Sequence, residues 1–330
     1  MTRFHSDSSF DDRIDQAVRD LAPFVARQVA LAPLTTYRLG GPAALTARPR
    51  SLDDLDALAK TLSTTGLPVL VVGGGSNLLV ADEGFAGIAV VLADLRLADG
   101  AAPGQHCTDG TRVVANASAP LPRLARRLVA ESLTGFEWAV GVPGSIGGAV
   151  RMNAGGHGSD MAACLVEARL FDFATGRCAW VPADRLGLRF RGSDMASHQV
   201  VIEARIALAH GDRQRSEREL DDVVRWRRER QPGGQNAGSV FVNPIPGELA
   251  AGELIDRVGL RGFVLGTASV SDKHANFIQG GEGGRAADVR ALIELVRDRV
   301  AAETGFVLRS EVRLVGFADV PDDDSPGVVV

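Results

Sequence analysis

The stretch VVGGGSNLLVADEGFAG, residues 71–87, sets three consecutive glycines, a Ser-Asn pair and two further glycines directly behind a short apolar run. The run Val69 to Val72, opened by Pro68, reads as a buried strand, so the glycines form its exit turn. Gly73-Gly74-Gly75-Ser76-Asn77-Leu78 does not fit GxGxxG, and the chain has no Gly-Lys dipeptide. The Rossmann fingerprint and the P-loop are therefore both absent. The physics behind them still applies: successive glycines let several main-chain N–H groups converge on an anion, with Ser76 and Asn77 adding donors. Taken alone, such a turn reads first as a tight bend with no ligand.

A second bare stretch changes that balance. GFEWAVGVPGSIGGAVRMNAGGHGSDM, residues 135–161, carries Gly141, Gly144, Gly147, Gly148, Gly155, Gly156 and Gly158 among Ser145 and Asn153, with little side chain to build a core. Two such stretches point to backbone laid against a long phosphorylated ligand from two sides.

Around these stretches the elements alternate. SLDDLDALAKTLSTTG, residues 51–66, is a helix capped by Ser51 and ended by Gly66, with Leu55, Leu58 and Leu62 on one face. GIAVVL and TRVVANAS read as strands, a helix is expected around Leu121 to Leu133, and VEARLFDFATGRCAWV reads as a hairpin turning at Ala174-Thr175-Gly176. QVVIEARIAL is a further strand, and the charged segment 212–230 reads as a mostly solvated helix broken by Pro232-Gly233-Gly234. Beyond it come a short helix at GELIDRVGL, a longer one with Val289, Leu292, Ile293, Val296 and Val300 on its apolar face, and the closing strand SEVRLVGF.

Composition narrows the partners. With 330 residues and 45% hydrophobic content the chain can bury a sizeable core, and its net charge of -5 does not suit a phosphate backbone, so no nucleic acid is expected. Lysine occurs only at Lys60 and Lys273. Cys107, Cys164 and Cys178 form no CxxC pair and read as reduced core thiols, without a disulfide framework or a metal site. No run approaches the ~18 apolar residues of a membrane helix and the N-terminus has no apolar leader, so a cytoplasmic protein off the membrane is expected.

The ordered motifs TTYRLGGPA (35–43), GGGSNLLVADEGFAG (73–87), GFEWAVGVPGSIGGAVRMNAGG (135–156), FRGSD (190–194), AGSVFVNP (237–244), LIDRVGLRG (254–262), SDKHANFI (271–278) and SEVRLVGF (310–317) resemble the UDP-N-acetylenolpyruvoylglucosamine reductase family. The resemblance implies an α+β fold: a two-lobed FAD-binding domain of the vanillyl-alcohol-oxidase type, then an α+β substrate-binding domain. On that pattern residues 1–30 are an N-terminal extension, 31–211 the FAD domain with lobes of about 31–95 and 96–211, 212–232 a linking helix, 233–318 the substrate domain and 319–330 a flexible tail. It implies NADPH as electron donor, UDP-N-acetylglucosamine enolpyruvate as substrate, UDP-N-acetylmuramate for peptidoglycan as product, and a monomer.

The same resemblance implies site residues. FAD, bound non-covalently, is expected against Tyr37, Arg38, Gly40, Gly41, Val72, Gly73, Gly74, Gly75, Ser76, Asn77, Leu78, Gly141, Val142, Pro143, Gly144, Ser145, Gly147, Gly148 and Asn153. Arg191 matches the arginine that holds the substrate carboxylate, Ser239 the serine that protonates C2, and Glu311 the glutamate that assists both. Asn243 and His274 are expected toward substrate, although a buried, hydrogen-bonded histidine is the better account of His274, and Glu311 has Arg313 within one pleat. Val242, His157, Phe190 and Arg309 replace the lysine, tyrosine, tyrosine and glutamate of many relatives. The 48-residue interval from Arg191 to Ser239 is short for the form with a tyrosine-bearing loop, which favours the second type. The rival enzyme is an FAD-dependent sugar or hydroxy-acid oxidase of the same cofactor fold. Many such oxidases tether FAD through a histidine, and residues 37–41 contain none.

Overall fold

A computed structural model of the chain describes residues 8–245 and 247–318. The expected tail at 319–330 and the first seven residues of the expected extension lie outside the described residues.

The first lobe comprises α1 (Ser8–Leu21), β1 (Val25–Ala30), β2 (Pro42–Ala47), α2 (Leu52–Thr65), β3 (Val69–Val72), β4 (Leu78–Val80) and β5 (Phe85–Val91). Four strands form a sheet in the order β1-β2-β5-β3, antiparallel only between β1 and β2. The start of α2 follows from its cap, for Ser51 Oγ accepts from Asp54 N at 3.2 Å, and Gly66 ends it at φ +61°. Residues 8–30 are not an extension. Ile14, Ala17 and Leu21 of α1 are buried with Leu55 and Leu58 of α2, and β1 is the edge strand of the sheet.

The second lobe holds β6 (His106–Asp109), β7 (Arg112–Asn116), α3 (Leu121–Ala130), α4 (Ile146–Arg151), β8 (Leu165–Asp172), β9 (Arg177–Pro182) and β10 (Gln199–Ala207). Its five-stranded sheet runs β9-β8-β10-β7-β6, antiparallel throughout. Helix α3 stops short of the expected Leu133 because Ser132 adopts φ +60°, a left-handed conformation that breaks the helix. Cys164 is buried, which pushes its thiol up to about 12, but Cys107 on the outer strand β6 is exposed and is no core thiol.

Helix α5 (Arg213–Arg230) is capped by Asp212, whose Oδ1 accepts from Arg215 N at 2.7 Å. Leu220 and Val223 anchor it in the core of the second lobe, and a buried carboxylate holds its start. Glu137 accepts from Thr134 Oγ1 at 2.7 Å, Gly135 N at 2.7 Å and Ser216 Oγ at 2.6 Å. Burial alone would push Glu137 up; these hydrogen bonds outweigh it and hold the carboxyl below the usual range.

The C-terminal unit contains α6 (Ala251–Arg257), the antiparallel strands β11 (Val264–Leu265), β12 (Ala268–Val270) and β13 (Ile278–Gly280), α7 (Ala286–Thr304) and β14 (Arg313–Val315). The α7 face carrying Val289, Leu292, Ile293, Val296 and Val300 is buried, as its period predicts. Strand β14 leaves this unit to pair in parallel with β4, Arg313 opposite Leu78 and Val315 opposite Val80. Side chains alternate across that pair: Leu78, Val80 and Val315 enter one core, Leu79 and Leu314 the C-terminal core.

The start of α7 is capped across this seam, since Asp82 accepts from Ala286 N at 2.8 Å and from Ala287 N at 3.1 Å. Replacing Asp82 by Ala is expected to cost about 1 to 2 kcal/mol in urea or guanidinium unfolding, with Asp82→Asn losing less. An unchanged midpoint for Asp82→Ala would show that the cap contributes nothing.

Candidate active site

The two glycine stretches meet face to face. A Cβ built on Gly74 would stand 2.5 Å from Cα of Gly144, and one on Gly144 would stand 2.8 Å from Ser76 Oγ. Gly75 has φ +59°, and its carbonyl accepts from Thr36 N at 3.0 Å. Ser76 Oγ donates to the Pro143 carbonyl at 3.0 Å, tying the first stretch to the second.

Two cavities open on either side of this contact and share Gly73, Gly74, Pro143, Gly144, Ser145 and Gly148 as a wall. One, of about 390 Å³, is mainly apolar, with Val72, Val91, Leu92, Val200 and Val201 among its lining and Gly147 and Arg151 at its side. The other, of about 520 Å³, is lined by Gly75, Ser76, Asn77, Gly141, Val142, His157, Trp226, Arg227, Gln231, Phe277 and the trio Arg191, Ser239 and Glu311. Volumes of this size suit ligand sites, and a shared bare-backbone waist suits an elongated ligand with an anionic centre.

The trio converges from three separate segments. Arg191 sits on a turn at φ +56°, its Nε donating to Glu311 Oε2 at 3.0 Å and its Nη1 to the Gly155 carbonyl at 3.2 Å. The exposed Phe190 ring lies 5.0 Å from the same guanidinium. Glu311 is mostly buried, which pushes its carboxyl up; the charge and hydrogen bond of Arg191 pull the other way, and the carboxyl stays above the usual range. Ser239 lies between held neighbours: Gly238 N donates to Asn236 Oδ1 at 3.0 Å and Val240 N to the Asn276 carbonyl at 2.8 Å. Glu311 N in turn donates to the Val240 carbonyl at 2.7 Å, so the serine and the glutamate ride on directly bonded backbones.

Several expected contacts are absent from the cavity walls. Tyr37 is fully buried in the C-terminal core, its hydroxyl donating to the Ile278 carbonyl at 3.1 Å, and burial raises its pKa further. Gly40 and Gly41 are bare because Cβ atoms there would meet the carbonyls of Val80 and Asp82, each at 2.4 Å. Arg38 lines a third pocket with Thr35, Thr36 and Gly234, which reaches the shared wall only through Gly74, and Leu78 is a buried strand residue. Asn153 uses its amide behind the wall, donating to Asp160 Oδ2 at 3.1 Å and the Arg189 carbonyl at 3.3 Å.

Asn243 and His274 are also outside the wall. Asn243 Oδ1 accepts from Ala251 N at 3.0 Å, at the start of α6. The His274 ring accepts from Asn276 N at 3.2 Å and packs edge-on to Phe277; burial, with Arg261 nearby, lowers its pKa.

The wall contains residues that spacing did not single out. His157 stacks edge-on to Trp226 at 5.0 Å, and burial, with Arg227 nearby, lowers its pKa. Arg227 is itself lowered by burial and donates through Nε to Gln231 Oε1 at 2.7 Å. Arg151, at the end of α4, donates to the Ala196 carbonyl at 2.8 Å, and burial together with the charge of Arg313 pulls it down to about 10. A partly buried guanidinium at the cavity side is a ready counter-charge for an anion.

A bare-backbone waist joining two cavities inside a two-lobed α+β frame, with a third unit supplying a serine and a carboxylate, is the layout of a protein that binds an elongated anionic ligand. A model of the FAD binding domain matches residues 43–181, and a model of the UDP-N-acetylenolpyruvoylglucosamine reductase C-terminal domain matches residues 230–315. The UDP-N-acetylenolpyruvoylglucosamine reductase of Heliobacterium modesticaldum is 41% identical over 303 residues, 91% of this chain and 94% of its own. That of Gloeobacter violaceus is 40% identical over 291 residues, 87% and 95% of the two chains. The solved UDP-N-acetylenolpyruvylglucosamine reductase of Thermus caldophilus superposes with a TM-score of 0.73 at 32% identity, covering 88% of this chain and all of that one. The chain belongs to the UDP-N-acetylenolpyruvoylglucosamine reductase family.

Arg151 lines the apolar cavity beside the shared waist, so Arg151→Ala is expected to weaken FAD binding about tenfold and to flatten its dependence on salt. Fluorescence titration of the apoprotein at two ionic strengths measures both, and an unchanged affinity would remove Arg151 from the cofactor site.

Proposed function

We propose that this chain reduces UDP-N-acetylglucosamine enolpyruvate to UDP-N-acetylmuramate, with electrons from NADPH relayed through non-covalently bound FAD, in the synthesis of peptidoglycan precursors. The observation that carries the reading is the meeting of Arg191, Ser239 and Glu311 in one cavity with both glycine stretches. No neighbouring placement in the chain brings them there: the Arg191 to Glu311 hydrogen bond closes a separation of 120 residues.

The residues present fit FAD. Gly73, Gly74, Gly75 and Ser76 with Gly144, Ser145, Gly147 and Gly148 offer bare backbone at the waist for the pyrophosphate, and the apolar chamber beside Val72 suits the adenosine end. Gly141, Val142 and Pro143 extend the wall into the chamber of the trio. When bound, FAD supplies the hydride chemistry that links NADPH to C3 of the enolpyruvyl ether.

The side chains do the rest. Arg191 spends two donors on Glu311 and Gly155, which holds the guanidinium in place and leaves further N–H groups for the substrate carboxylate. As C3 gains a hydride, negative charge grows toward that carboxylate, where a permanent cation stabilises it most. Glu311, with its pKa raised, can stand beside this charge as the neutral acid. Among the described residues no hydrogen bond occupies Ser239 Oγ, so its proton is available to C2, which completes the saturated ether. Between Arg191 and Ser239 the chain is filled by β10 and α5 with short turns, which supports the form without a tyrosine-bearing loop. The wall of Trp226, Arg227, Gln231 and His157 then faces the nucleotide part.

The reading includes a cytoplasmic monomer acting on a small molecule, with no nucleic-acid partner; the net charge of -5 supports the last point. No described helix is long and apolar enough to cross a membrane.

Anaerobic stopped-flow tests the reaction: NADPH is expected to bleach the flavin and the enolpyruvyl substrate to restore its absorbance. Ser239→Ala should keep the first phase and slow the second by about 10² to 10⁴. An unaltered second phase would take Ser239 out of the mechanism. In the wild type the second phase should slow as pH rises through the raised pKa of Glu311, because the neutral acid is then lost. Glu311→Gln, which cannot ionise, should show no such limb. A limb surviving in that variant would assign it to another group.

A further inference from the structure

Asn77 stands in the glycine turn and lines the larger cavity, yet its side chain amide is spent elsewhere. Nδ2 donates to the main-chain carbonyl of Glu311 at 2.9 Å, across a separation of 234 residues. Its own carbonyl accepts from Arg313 N at 2.9 Å. Residue 311 is thus gripped from two sides: Asn77 holds its carbonyl, and the Val240 carbonyl, next to Ser239, holds its N–H at 2.7 Å. Through Oε2 the same residue holds Arg191.

We propose that Asn77 is a positioning residue for the substrate-side trio, registering Glu311, and through it Arg191 and Ser239, against the cofactor turn. This rests on the function proposed above. Ser76, one residue earlier, contrasts with it, because its hydroxyl closes the two glycine stretches on each other. Adjacent side chains therefore divide the work: Ser76 shapes the cofactor waist and Asn77 sets the distance from that waist to the acid and the carboxylate clamp.

Catalytic geometry is sensitive to displacements of this kind, where an error near 1 Å can cost about 10²-fold. Asn77→Ala is expected to slow substrate-driven flavin reoxidation by about 10- to 100-fold while changing the FAD dissociation constant and NADPH-driven reduction by less than about threefold. Ser76→Ala should show the opposite partition, with FAD affinity falling most. Hydrogen exchange gives a readout without cofactor: in apoprotein, amides 311 to 313 should exchange faster in Asn77→Ala. Should that variant fail to fold, Asn77→Asp, which keeps the size and removes the donor, should show the same faster exchange.

Loss of FAD affinity with equal slowing of both phases in Asn77→Ala would make Asn77 a cofactor ligand and overturn the proposal. Unchanged reoxidation, or unchanged exchange at 311 to 313, would overturn it as well. A wild-type protein whose flavin the enolpyruvyl substrate does not reoxidise would instead defeat the functional reading, leaving the exchange result to judge the Asn77 contact.

Discussion

The parallel pairing of β14 with β4 is the constraint on which the site depends. It is only three residues long, and two such strands alone would be marginal in water. They persist because each face of the pair is a face of a different core: Leu78, Val80 and Val315 on one side, Leu79 and Leu314 on the other. The pleat thus joins the cofactor lobe to the C-terminal unit through side-chain burial, while the ladder sets the register. Sliding β14 by one residue would exchange its two faces and carry Glu311 away from Arg191.

That seam also explains why so much of the region is bare of side chains for reasons unrelated to any ligand. Gly40 and Gly41 are pressed against the carbonyls of Val80 and Asp82, and Gly84 has φ +91° with the Pro42 carbonyl 1.9 Å from where a Cβ would stand. Gly74 and Gly144, in contrast, press on each other at the junction of two cavities. Glycine at both kinds of position meets the same steric demand, and only the cavity beyond separates a packing role from a binding one.

This is where the sequence stops being legible. Helix and strand periods, the Ser51 cap and the Gly66 stop were readable because their causes are local. The resemblance brought out Arg191, Ser239 and Glu311, and the structure brings them together. Tyr37 and Asn153 share motifs with cavity residues, but a motif does not say on which side of the backbone a side chain falls; both turn into the protein. His157 was marked only as a departure from many relatives, and Trp226 and Arg227 had no readable signal, since α5 presents as a charged, solvated helix with arginine on every face. Its inward face is the buried row Ser216, Leu220 and Val223, and the Glu137 to Ser216 contact at its start pairs residues 79 apart that no local pattern joins.

The electrostatics of the cavity follow from the same geometry. Burial acts on Arg151, Arg227 and Glu311 in one sense, disfavouring charge on each, and among the described residues of the wall Glu311 is the carboxyl, hydrogen-bonded to Arg191. Arg151 and Arg227 donate to a carbonyl and an amide oxygen, which satisfy hydrogen bonds and leave the positive charge uncancelled. A cavity wall that keeps cationic charge under partial desolvation is stabilised most by anions arriving as ligands, because each brings the counter-charge that the fold withholds. The dinucleotide pyrophosphate and the substrate carboxylate and diphosphate are such anions. On this argument the site is complete only when filled, and ligand binding and local stability are one quantity seen from two sides.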